Sequence, residues 1–158
     1  MTTAVYSFQQ QLAKGQSYEH QLDTQFSELY IIQPATPRQQ RQGIDRVYRR
    51  RKAPHEVLYV EYKADSTAAR TGNAFVETVS VDTAGKPGWA VSSQADWLFY
   101  LVPGECEALY IIQMEKLRKQ LPKWRSTCQE RRIPNEGYHT VGLLVPLAEF
   151  EEIAYAVI

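Results

Sequence analysis

Two extended segments around a basic turn, within residues 43–65, constrain this chain more than any other feature. The first reads Gly-Ile-Asp-Arg-Val-Tyr-Arg over residues 43–49, and the second reads Glu-Val-Leu-Tyr-Val-Glu-Tyr-Lys-Ala over residues 56–64. Valine and tyrosine favour strands, and a short polar loop around residues 51–54 predicts a hairpin. Side chains alternate across a strand, so Glu61 and Lys63 share one face and Tyr62 takes the other. If the segments pair, Asp45 at the head of the first comes beside them. Two carboxylates so placed can hold a divalent cation with an ammonium next to it, which suits chemistry that builds negative charge on phosphate oxygens.

The remaining pattern predicts a single domain over residues 1–158, of a length that buries a sizeable core. A Gln-rich piece over residues 4–16 reads as a short helix or an ordered arm. Ser17 then fits a helix N-cap, and Tyr18, Leu22, Phe26 and Leu29 recur at helical spacing. The prolines at 34 and 37 stop that helix, and a polar, basic connection leads to Gly43. A third strand is expected over residues 73–80, a turn over 84–88, and a turn or short helix over 89–93. Residues 96–102 form a nearly continuous apolar run, as expected of a central buried strand, and residues 108–113 read as its successor. Met114, Leu117 and Leu121 mark a helix face, Pro122 begins or interrupts the next segment, and Trp124 anchors that segment. Residues 138–145 read as a last strand, and Leu147, Phe150 and Ala154 mark a closing amphipathic helix. This order predicts an α/β (α+β) fold, a mixed sheet flanked by helices.

Charge and cysteine content narrow the class. Lysine and arginine balance aspartate and glutamate, 18 against 18, so any binding of a polyanion must rest on local patches. One patch comprises Arg38, Arg41, Arg46, Arg49, Arg50, Arg51 and Lys52, around Asp45. A second comprises Lys116, Arg118, Lys119, Lys123, Arg125, Arg131 and Arg132, while Glu149, Glu151 and Glu152 make the C-terminus acidic. Cys106 and Cys128 are the only cysteines, which excludes a disulfide-dense scaffold and a cysteine-rich zinc site. There is no apolar run of membrane-spanning length and no signal-peptide pattern, so a cytoplasmic protein with no membrane partner is the expectation.

A helix bearing Glu19, then Gly-Ile-Asp45, then Val-Glu61-Tyr-Lys63, resembles the PD-(D/E)xK, or restriction-endonuclease-like, nuclease superfamily. The stretch from Thr71 to Glu77, with Gly88-Trp89 and Ala95-Asp96-Trp97, is similar to small phage and bacterial members of it. The likeness covers roughly residues 17–113, and Gly-Ile stands where a proline often precedes the first aspartate. The resemblance implies that Asp45 is the principal ligand of Mg²⁺ or Mn²⁺ and Glu61 the second. Lys63 would orient the attacking water or stabilise charge on the phosphate. Glu19 would complete the site from the helix, and Glu77 is a further candidate from the neighbouring strand. The implied reaction is hydrolysis of DNA phosphodiester bonds, structure-selective or nonspecific, with Arg38, Arg41, Arg46, Arg49, Arg50, Arg51 and Lys52 on the phosphates and with a homodimer as one arrangement.

Plainer readings stand beside these. A Glu-x-Lys pair on an exposed strand is two solvated charges, a helix-face glutamate is usually solvated, and Trp89 and Trp97 are more often core than stacking platforms. His20, His55 and His139 lack metal-ligand spacing, and no nucleophile motif surrounds Ser92, Ser93 or the cysteines. The rival functional classes are a non-catalytic nucleic-acid-binding or assembly subunit that keeps the fold, and a binding domain with a coincidental motif.

Overall fold

A computed structural model describes residues 8–158, with side chains from residue 10. In chain order the elements are α1 (Phe8–Phe26), β1 (Tyr30–Pro34), α2 (Pro37–Arg41), β2 (Arg46–Arg50), β3 (Ala53–Ala64), α3 (Ser66–Thr71) and β4 (Asn73–Val81). A 3-10 turn (Asp82–Ala84), β5 (Lys86–Pro87), α4 (Trp89–Ser92), β6 (Trp97–Val102), β7 (Ala108–Gln113) and α5 (Met114–Thr127) come next. The chain closes with β8 (Gln129–Pro134), β9 (His139–Pro146), α6 (Leu147–Ile153) and β10 (Ala156–Val157).

The fold is mixed α+β. A six-stranded mixed sheet runs β1-β2-β3-β6-β7-β10, and a four-stranded antiparallel sheet runs β5-β4-β9-β8. β3 and β6 pair in parallel, with Glu61 opposite Leu98 and Lys63 opposite Tyr100, while the other neighbours are antiparallel. Parallel neighbours need a long crossover. Here α3, β4, β5 and α4 fill it, so the strand expected at residues 73–80 founds a second sheet instead of extending the first.

Alternation along β6 builds both cores. Phe99 and Leu101 point to α1, where they meet Leu22, Tyr48, Val60 and Tyr62. Leu98, Tyr100 and Val102 point the other way, onto Val76 and Val145 of the second sheet, Leu117 and Trp124 of α5, and Phe150 of α6. The apolar run is therefore buried on both faces, as its composition predicts.

Several expectations change at the level of elements. The Gln-rich piece and the Tyr18–Leu22–Phe26 stripe form one helix, α1, that runs through Gly15 and Ser17 without a new cap; residues 4–7 lie outside the described residues. Leu29 leaves the stripe, sitting past the helix at 64% exposure. The segment around Pro34 is an edge strand, β1, whose residues pair with β2 from Tyr30↔Arg50 to Pro34↔Arg46. Proline is admissible there because an edge has spare backbone positions. Thr36 and Gln39 make a reciprocal capping box for α2, with Pro37 in its first turn. Helix α5 continues through Pro122. Among the described residues no helix is long and apolar enough to cross a membrane.

Three tyrosines set an alkaline limit on this fold. Burial raises the phenols of Tyr48, Tyr62 and Tyr100 above the ordinary tyrosine value. Tyr48 and Tyr62 share a hydroxyl–hydroxyl hydrogen bond, and the Tyr100 hydroxyl donates to Asp65 Oδ2 at 2.6 Å. Above about pH 10 the unfolded chain releases phenolic protons that the folded chain retains, so stability falls as pH rises. Urea midpoints should drop across that range, and Tyr48→Phe should blunt the drop. A midpoint independent of pH would contradict the assignment.

Candidate active site

Lys63 and Glu61 project from the last turns of the pleat of β3, on the face away from α1, as alternation requires. The Lys63 Nζ lies 2.8 Å from Glu61 Oε1, with side-chain exposures of 34% and 4% respectively. Glu61 Oε2 is buried and has no hydrogen-bond partner among the described residues. A buried acceptor left unsatisfied costs about 1–3 kcal/mol, and more when charged. That cost persists in a fold only where something else offsets it, and a bound cation or water would do so.

Asp45 is held from three sides. Its N–H donates to the Val60 carbonyl at 2.9 Å, its carbonyl accepts from Ala35 N–H at 3.0 Å, and its Oδ2 accepts from Tyr62 N–H at 2.7 Å. The preceding turn needs glycine: Gly43 has φ +74°, and a Cβ there would press on Ser93. Ser93 Oγ in turn donates to the Gly43 carbonyl at 2.7 Å.

Glu77 enters from the second sheet. A Cβ at Gly88 would overlap the Glu77 carbonyl, so glycine is what lets α4 approach and its Trp89 N–H donate to the Glu77 carboxylate. Burial lifts the Glu77 carboxyl above its usual range against the opposing pull of Lys63, that N–H and Lys86. For Lys63, burial alone would favour the neutral amine. The carboxylates of Glu61, Asp45 and Glu77 outweigh it and hold the ammonium above the ordinary lysine value. Three carboxylates thus favour the charged form of one ammonium.

Glu19 does not join this group. It rides on α1, across the sheet, and its carboxylate is bound to Arg46 at 2.8 Å. Arg46 also holds Asp23 at 3.0 Å and lies 5.4 Å from the centre of the Tyr62 ring. With its side chain 12% exposed and two carboxylates to neutralise, Arg46 is a packing residue and is not available for phosphate.

The basic hairpin is also displaced. Arg50, Arg51 and Lys52 crowd the tip where β2 meets β3 and Arg49 pairs opposite Val57, while Lys63 is at the other end of β3. Ala53 and Lys63 are ten residues apart along that strand, about 33 Å at the usual rise. Arg50 pairs with Glu56, and Arg51 Nε donates to the Ser27 carbonyl. Arg38 and Arg41 are exposed on α2, which leads into the Gly43 turn. In the second patch Lys119, Lys123 and Arg132 pair with Glu115, Glu149 and Asp82, and Arg118 donates to the Ser93 carbonyl.

Two clefts flank Lys63. One, about 590 Å³, is lined by Lys63, Glu77, Phe75, Trp89, Tyr100 and Arg131 among others. The other, about 680 Å³, lies toward α1 and includes Tyr18, Glu19, Tyr62, Lys63 and Arg70. Arg70, Arg131 and Asp65 are residues that the sequence pattern did not bring to the site. Asp65 caps α3 through Oδ1 and takes the Tyr100 hydroxyl through Oδ2, so it is fully engaged in structure. Its signal was legible: an aspartate before Ser-Thr, and Gly72 in the left-handed conformation at the far end, bracket a helix.

Among the described residues no group of three or more His, Cys, Asp or Glu side chains is arranged to hold a metal ion. The donors that are present suit a hard cation nonetheless. Asp45 and Glu61 offer oxygen, Glu61 has an orphaned oxygen, and Mg²⁺ commonly keeps several waters beside one or two carboxylates. Comparison of the chain with family models, curated proteins and solved structures finds no match.

Proposed function

We propose that this protein is a metal-dependent nuclease of the restriction-endonuclease-like class, which hydrolyses DNA phosphodiester bonds in the cytoplasm. The observation that carries the reading is the buried Glu61 carboxylate, with one oxygen on Lys63 and the other unpartnered among the described residues, at the register position opposite Asp45. A purely structural ion pair would be expected to satisfy both oxygens.

The roles follow from the chain's own groups. Asp45 and Glu61 would hold Mg²⁺ or Mn²⁺, which when bound supplies a Lewis acid and acidifies its water. Lys63 keeps its charge and has partial access to solvent, so it can offer that charge to a phosphate oxygen as the charge there grows. Glu77 stands on the opposite wall, within electrostatic reach of Lys63, with a carboxyl that burial lifts above its usual range. It can restrain the ammonium or exchange a proton with a departing group. Glu19 has no part in this scheme. Cutting both strands of a duplex would call for two copies of the site, as a homodimer provides.

A second reading is favoured by two observations: Lys63 closes on Glu61, and no three-donor metal group is present among the described residues. On that reading the protein is a non-catalytic nucleic-acid-binding or assembly subunit. Plasmid nicking with Mg²⁺ or Mn²⁺ separates the two. Asp45→Ala and Lys63→Ala are each expected to lower the rate roughly 10²–10³-fold. Equal background cleavage by wild type and both variants would leave only the binding reading. A second readout is independent of turnover: Mn²⁺ should raise the thermal midpoint of wild type and not that of Asp45→Ala.

A further inference from the structure

The two clefts adjoin. Lys63, Ala64 and Thr67 line both, so they meet across the end of β3. We propose that together they form one groove for a single unpaired nucleic-acid strand, running from Arg70 over Lys63 to Arg131. This rests on the nuclease reading and names the substrate form that reading would serve.

Depth is the first argument. The Glu61 side chain is 4% exposed and lies below Lys63, so a phosphate must descend into the groove to come near it. A rigid duplex carries its phosphates on the outside of a broad cylinder and meets such a floor poorly. An unpaired strand bends and can follow the groove. Size agrees: each cleft falls in the range of about 300–1,000 Å³ that accommodates one small ligand, which suits a strand a few nucleotides long.

Charge is the second. Arg70 on the last turn of α3 and Arg131 on β8 are exposed and, among the described residues, form no ion pair. One stands in each cleft, with Lys63 between them. Cations spaced along a groove track a phosphate backbone. Surface is the third. Trp89 and Phe75 are partly exposed in the wall on the Arg131 side, and every base has a face that stacks on such rings without regard to sequence.

Fluorescence anisotropy of an end-labelled single-stranded oligonucleotide, in EDTA and at low salt, tests the groove apart from catalysis. Arg70→Glu and Arg131→Glu should each weaken binding about tenfold, and replacing both by alanine should lower the salt slope by about 1.4. Arg49→Glu, opposite Val57 and six residues along β3 from Lys63, and Lys52→Glu, at the hairpin tip, should change affinity less than about twofold. The same sequence as a duplex should bind about tenfold more weakly. Unchanged affinity in Arg70→Glu and Arg131→Glu, loss confined to the hairpin variants, equal affinity for duplex, or no binding by wild type would each overturn the proposal. Groove-dependent binding without cleavage in Mn²⁺ would uphold the groove and remove the hydrolase.

Discussion

Replacing Lys63 by methionine is expected to cost the fold about 2–4 kcal/mol as well as its cleavage activity. The reason lies in Glu61 more than in the lysine. The lysine side chain is 34% exposed and could lose its partner cheaply, but the glutamate side chain is 4% exposed and has no other hydrogen bond among the described residues. Removing the ammonium strands a carboxylate out of water, beside Asp45 and Glu77, whose charges also act on that site. Solvent access at Lys63 and relaxation of the cleft lower the cost from the fully buried case. Replacing both members, Glu61→Leu with Lys63→Met, should restore most of the stability, because an apolar substitute for a buried pair is close to neutral. It should restore none of the cleavage. Urea unfolding of the two single variants and the double closes the cycle. A Lys63→Met protein as stable as wild type would show that the glutamate is not buried as described.

Trp124→Ala should be the most damaging single change in the core, at about 3–5 kcal/mol. The indole is 0% exposed, stacks with Phe150 at 5.9 Å between ring centroids, and donates from Nε1 to Glu149 at 3.0 Å. It joins α5 to α6 over the β7 and β9 faces that carry Tyr110 and Val145. Its loss therefore opens a cavity and unties a hydrogen bond together. Domains of this size hold about 5–15 kcal/mol in all, so the variant should melt roughly 10 °C lower or fail to accumulate folded. Trp124→Phe keeps the stacking and drops the donor, and should cost about 1–2 kcal/mol. Equal loss in both variants would place the energy in the hydrogen bond instead of the packing.

The elements that were legible in the sequence are those whose pattern is local and strong. Residues 97–102 of β6 read as a strand buried on both faces, and Met114, Leu117 and Leu121 read as a helix face; Trp124, expected in a separate segment after Pro122, belongs to the same helix. Two strands hid. β1 follows a helix whose apolar spacing runs on to Leu29, so strand and helix patterns overlap there. In β8, Gln-Glu-Arg-Arg-Ile-Pro is exposed at every position, and an edge strand guarded by charge and proline leaves no apolar alternation to read. That omission also hid Arg131 from the site.

The sequence by itself determined that Glu61 and Lys63 face one way and Tyr62 the other, because tetrahedral carbon and the pleat leave a strand no choice. It also determined that Asp45 would stand at the mouth of the same hairpin, since antiparallel pairing returns β3 past the start of β2. Only the tertiary structure decided which charges gather there. Glu77 arrives because β4 founds a second sheet, and Glu19 is lost to Arg46 because α1 packs on the opposite face. The Arg51–Lys52 tip of the hairpin ends about 33 Å from Lys63 along β3, while Arg131, far along the chain, lines the cleft. Distance along an extended strand grows with every residue, whereas distance across a packed interface does not depend on sequence separation at all.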